Sequence, residues 1–150
     1  MASNLIICAP YAQPDIPAGR WTRTSIAYDV QAEKCVFLKD SWRIHLDDIP
    51  PEGETYARLH EHGVHNIAEC SLAEDVGEER FHRTWTQDFN GKSGVLQDSV
   101  HFVAHRHYRL VLDKIGRKLE SFACSKELVR AVYHALIGKF TVVSGLRAIA

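Results

Sequence analysis

The sequence predicts an α+β fold: an antiparallel sheet with one helix inserted after its first hairpin, and a second helix toward the C-terminal end. Three observations predict it. Thr22, Thr24, Ile26, Tyr28 and Val30 alternate at strand spacing, and a polar break at 29–34 leads into the apolar run Cys35-Val36-Phe37-Leu38. Pro50-Pro51 opens a stretch with helical character that ends at Gly63. Leu128, Val129, Val132, Tyr133, Leu136, Ile137 and Phe140 recur at helical spacing, a stripe wide enough to need a core.

The elements follow in order. The N-terminal 1–18 carries Pro10, Pro14 and Pro17 and reads as an irregular or edge segment. The hairpin follows, then a loop at 41–51. A helix runs over 51–62, with Tyr56 and Leu59 on its apolar side. Glu52 and Glu54 sit in its first turn, where a helix N-terminus favours negative charge. Val64 to Cys70 reads as a short strand and 71–80 as an acidic loop. Arg83 to Phe89 alternates with threonines on one side and reads as a further strand. Asn90 to Ser99 is a loop. His107 to Leu112 is β-rich and broken by Gly116, and Ser125 caps the last helix.

A chain of 150 residues has room for one domain with a core. The formal net charge of −1 gives no basis for a nucleic acid or an anionic membrane as partner. No apolar run approaches the ~18 residues of a transmembrane helix. Cys8, Cys35, Cys70 and Cys124 are scattered, which suits reduced thiols in an intracellular protein better than a disulfide framework.

Lys39 ends an apolar strand, so its stem packs while its ammonium needs an anion. Glu52 and Glu54 in the following helix offer one. Alone, this pattern also fits a surface lysine beside solvated glutamates. His60, His62 and His65, with Cys70 behind them, are zinc-compatible residue types. His60 and His62 face different directions on a helix, however, and the spacing is not that of a paired-ligand zinc site. No metal site is assigned.

The wider string adds to this. Val36-Phe37-Leu38-Lys39-Asp40-Ser41-Trp42-Arg43, then Glu52-Gly53-Glu54-Thr55-Tyr56, Arg83-Thr84-x-Thr86-x-x-Phe89 and His107-Tyr108-Arg109-Leu110-Val111-Leu112-Asp113-x-Ile115-Gly116-Arg117 resemble the fungal-type protein kinase family. The resemblance covers most of the chain. It implies a protein-kinase-like N-lobe plus a hinge and the first helices of a truncated C-lobe, over 19–140, with a divergent tail at 141–150.

It further implies that Lys39 holds nucleotide phosphates and that Glu52 orients it, with Glu54 as runner-up. Leu112 would lie at the back of the nucleotide pocket, and Asp113 to Ile115 would form the adenine-facing hinge. ATP is the cofactor so implied, and magnesium only in a full-length form. Two departures stand against the family pattern. The phosphate-covering loop at 19–24 has one glycine and Trp21, and Phe37 stands where kinases keep a small residue. Neither a His-Arg-Asp-like loop nor an Asp-Phe-Gly-like segment follows the last helix, so no catalytic residue is assigned. The alternative is a non-catalytic interaction module that uses its C-terminal helix to form a homodimer or to pair with an intact relative.

Overall fold

The computed structural model describes residues 4–12, 21–77, 82–90 and 103–147. Among these described residues, five strands and two helices follow in the order β1 (Leu5–Ala12), β2 (Arg23–Asp29), β3 (Lys34–Ile44), α1 (Glu52–Glu61), β4 (Cys70–Asp75), β5 (His105–Leu112) and α2 (Ser125–Arg147). Single 3-10 turns lie at Thr86–Phe89 and Leu119–Ser121. The strands form one antiparallel sheet in the order β1-β2-β3-β5-β4, with α1 inserted between β3 and β4.

The β2–β3 hairpin turns where the polar break lies. Asp29 Oδ1 accepts hydrogen bonds from the Gln31 and Ala32 amides, and Glu33 takes a left-handed φ of 50°. That side-chain bonding to nearby backbone is what makes Asp a turn former. Gly63 closes α1 at φ 65°, a conformation that glycine adopts without a Cβ penalty.

Alternation along the strands builds a core on each face of the sheet. On one face Ala27, Val36, Leu38 and Val111 are buried, with Leu5 and Leu72 packed against them. On the other, Tyr108, Leu110 and Leu112 are buried beneath Phe37, Tyr56, Ala68 and Cys70. Tyr56 brings α1 onto this second face.

Several elements differ from the sequence expectation, each for a local reason. The N-terminal stretch, read as an irregular or edge segment, is an edge strand over Leu5–Ala12, paired with β2. The register shifts on either side of Pro10, the bulge a proline needs because it lacks an amide hydrogen. β3 continues through Ser41 to Ile44, expected as loop, because Ser41, Trp42 and Arg43 each find a partner on β5. Val64 to Glu69 is not a strand. Asn66 takes φ 63° there, and the ladder begins at Cys70 and takes in the residues expected as an acidic loop.

Arg83 to Phe89 is not a strand either. Arg83 makes one bridge to Arg106, after which the Thr84 hydroxyl donates to Gln87 Oε1 and the Asp88 amide to the Trp85 carbonyl, closing a 3-10 turn. Local side-chain bonding of this kind competes with a ladder. Ser125, expected as the cap of α2, is its first helical residue. Glu127 reaches back to accept from the Ala123 amide at 2.7 Å. α2 runs on through 141–147, and Val129, Val132, Tyr133 and Leu136 are exposed on it. The loop expected from Gly91 to Ser99, and Gly19 and Arg20 of the loop before β2, lie outside the described residues.

Candidate functional site

Period-two geometry puts Phe37, Lys39 and Arg43 on the face of β3 that α1 covers. Lys39 pairs across the ladder with Leu110, and its Nζ donates to Glu52 Oε2 at 2.6 Å. Glu52 is thus the first-turn carboxylate that meets Lys39, while Glu54 is exposed. The pair is only half withdrawn from water, the Lys39 side chain 28% exposed and that of Glu52 40%. An ion pair this wet contributes about 1 kcal/mol or less to stability. Its ammonium therefore stays within reach of a solvent-borne anion.

The Glu52 turn also meets a second, drier cluster. Pro51, the N-cap residue, supplies no side-chain cap. The Gly53 amide would be one of the four that a helix start leaves unpaired. It donates instead to the Tyr108 hydroxyl at 2.9 Å. Tyr108 is buried, and burial pushes its phenol up, partly countered by the bond from Gly53. The Arg43 guanidinium lies 5.6 Å over the ring, within cation–π range.

Arg43 in turn grips Asp75 with two bonds of 2.7 Å, and Arg106 adds a third at 3.2 Å. This is the fork geometry in which arginine binds carboxylate most strongly. Burial pushes the Asp75 carboxyl up, but the two guanidinium groups outweigh it and hold it below the usual carboxylate value. The bond to Asp75 raises Arg43 further still, so that group keeps its charge.

The remaining site residues from the sequence lie at the far end of the same face. Leu112 is buried and paired with Phe37. Asp113 leaves the strand with both groups engaged. Its amide donates to the Glu69 carbonyl at 2.9 Å, and its carboxylate accepts from the Glu69 amide at 2.6 Å. The Asp113 amide is thus committed within the chain. Lys114 and Ile115 are exposed and belong to no helix or strand. Trp21 lies under the Arg23 guanidinium at 5.2 Å.

Two open grooves flank α1, of about 350 and 320 Å³. The first lies between Ala57, His60, Cys70 and Leu72. The second lies between Arg43, Glu54, Glu74, Asp75 and Tyr108. Neither is lined by Lys39 or Leu112, so these two grooves and the lysine–glutamate pair are separate features. His60, His62 and His65 do not gather around a shared point. His60 and His62 each turn back onto a carbonyl of their own helix, at 2.8 and 2.7 Å. Among the described residues no group of three His, Cys, Asp or Glu side chains is arranged to hold a metal. His107 stacks between Trp42 and His82 and bonds to Asp40.

Sequence reasoning did not find Gly53, Tyr108, Arg43 or Asp75. The signal available was that Arg43 lies four residues from Lys39 on one strand, and Tyr108 two from Leu110 on another. Both therefore share the Lys39 face. No protein-family model, curated protein or solved structure matches this chain. The resemblance to fungal-type protein kinases rests on the residues alone.

Proposed function

We propose that this chain is a nucleotide-binding, protein-kinase-like lobe in which Lys39, oriented by Glu52, contacts the phosphates of ATP. The observation that carries the reading is the 2.6 Å pair between a strand lysine and a carboxylate in the first turn of the one inserted helix. Protein kinases use that arrangement to hold a lysine against nucleotide phosphates. Phe37 and Leu112 supply an apolar floor beside it, and the segment from Asp113 to Ile115 leaves the sheet next to them. With its amide engaged by Glu69, Asp113 offers adenine only its carbonyl. Phosphoryl transfer also needs an Asp base and an Asp that holds magnesium. Neither is assigned in these 150 residues, so the reading is of binding.

Titration of the purified chain with ATP, with and without magnesium, tests it. Saturable binding is expected. Lys39→Ala is expected to weaken it roughly 10–100-fold, the loss of a hydrogen bond between charged groups. The fold should be untouched, because the exposed pair contributes so little. Equal binding by both proteins, or none by either, would overturn the reading.

A second reading is favoured by one observation: the apolar side chains Val129, Val132, Tyr133 and Leu136 of α2 are exposed. Under it the chain is an interaction module that self-associates through α2. Sedimentation of the wild type should then show a mass that rises with concentration, and Val132→Glu should abolish the rise. A monomer at every concentration would sink that reading.

A further inference from the structure

We propose that Tyr108 is a positioning residue for the Lys39 ammonium: by holding the first turn of α1 against the sheet, its hydroxyl fixes the Glu52 carboxylate on Lys39. The proposal deepens the nucleotide-binding reading, and its functional half rests on that reading.

The argument starts from how lightly α1 is held. None of its residues is buried, and Tyr56 is the side chain that packs it onto the core. The Lys39–Glu52 pair is too exposed to anchor a helix. The N-cap proline has no side-chain acceptor, and the local bond from the Glu54 amide to its carbonyl at 3.1 Å does not tie the turn to the sheet. The restraint comes from 55 residues away, in the bond from the Gly53 amide to the Tyr108 hydroxyl.

Gly53 shows how close that approach is. A Cβ there would overlap the Cβ of Ala73 and stand 2.7 Å from the Tyr108 oxygen. Only a residue without a side chain lets the helix start lie directly on β4 and β5. Glu52 is the next residue back, so its Cα is placed by the same contact.

Tyr108 itself has little freedom. Its ring is buried beneath Arg43, and Arg43 is clamped by both oxygens of Asp75. A rigid line therefore runs from Asp75 through Arg43 and Tyr108 to Gly53, and Glu52 carries it to Lys39. Losing the hydroxyl frees the first turn while leaving the ring packed.

The test uses the full chain and three measurements. In the wild type, the Gly53 amide should be protected from hydrogen exchange, as an uncapped amide in a helix's first turn is not. Exchange at the rate of an open chain would overturn the proposal without any variant. Tyr108→Phe and Glu52→Gln should then both raise the rate at which an N-hydroxysuccinimide ester acylates Lys39. The expected rise is roughly 2–10-fold, the loss of one hydrogen bond. Lys34 and Lys114 should label as before. A purely structural role for Tyr108 would lower the melting temperature and leave Lys39 labelling in the folded chain unchanged. If Glu52→Gln exposes Lys39 and Tyr108→Phe does not, Tyr108 does not position it. The third measurement is affinity for magnesium ATP, which should fall in Tyr108→Phe by a similar factor. If the wild type binds no nucleotide, the nucleotide-binding reading fails, and the labelling and exchange results still decide the positioning role.

Discussion

Replacing Leu110 with alanine is expected to destabilise the chain by about 2–5 kcal/mol, the range for emptying a fully buried leucine site. Leu110 is 0% exposed and sits mid-strand on β5, between Lys39 of β3 and Ala73 of β4. Its side chain is enclosed with Tyr108, Leu112, Phe37 and Tyr56, so the space left behind is walled by two strands and cannot collapse freely. Against a typical total stability of about 5–15 kcal/mol, that is a large share. Urea unfolding followed by circular dichroism measures it. Leu136→Ala on the exposed side of α2 is the matched comparison, with an expected change within about 0.5 kcal/mol. A Leu110→Ala loss below that of Leu136→Ala would mean that the sheet face under α1 is not the core.

The second large effect belongs to Asp75. Asp75→Ala is expected to cost about 3 kcal/mol near neutral pH, because it leaves two guanidinium groups facing each other without their carboxylate. The side chains of Arg43 and Asp75 are only 17% and 12% exposed, so water replaces little of what is lost. The pH dependence has a definite sign. The folded carboxyl lies below its unfolded value of 3.8, despite the burial that pushes it up, because Arg43 and Arg106 bond to the charged form. A group depressed in this way contributes stability that is complete above the unfolded value. That stability is lost as pH falls through the folded one. The gap between wild type and Asp75→Asn should therefore be full at neutral pH and narrow below about pH 4. Thermal unfolding at a series of pH values reads this directly. A gap that stays constant into strong acid would show that the ionised carboxylate is not the source.

The parts of the fold that the sequence reveals are those set by neighbours in the chain. Asp29 makes its turn with residues two and three ahead, and Gly63 ends α1 at its own backbone. Both are legible as letters. Lys39 and Glu52 are legible too, because a strand end followed by an acidic first helical turn brings opposite charges together. What sequence reasoning misses is fixed by distant partners. Glu74 and Asp75 look like loop residues, yet they lie in β4. Asp75 is neutralised by arginines from two other strands, and Glu74 faces solvent on an edge strand, where a charge is tolerated. Asp40 looks like the end of a strand and Arg43 like a loop residue, yet each has a partner across the sheet, His107 for one and Asp75 for the other. Threonine alternation at 84–86 imitates a strand, and a local turn wins. The anchor from Tyr108 to Gly53 has no trace in local pattern at all.

The placement of β3 in the middle of the sheet has a consequence in time. Its neighbour β2 comes from the same hairpin, but its neighbour β5 lies roughly 60–75 residues further along the chain. At about 5–20 residues per second, a growing chain carries a finished hairpin with a bare edge for roughly 3–15 seconds before β5 exists. Long-range pairing of this kind is intrinsically slow to form. During that interval the waiting edge presents Lys39, Asp40 and Arg43, charges of both signs spaced along the strand. Such residues discourage a bare edge from pairing with another chain. Asp40 and Arg43, which bond to β5 and β4 once the sheet is complete, and Lys39, which bonds to α1, thus carry charges that discourage such pairing beforehand.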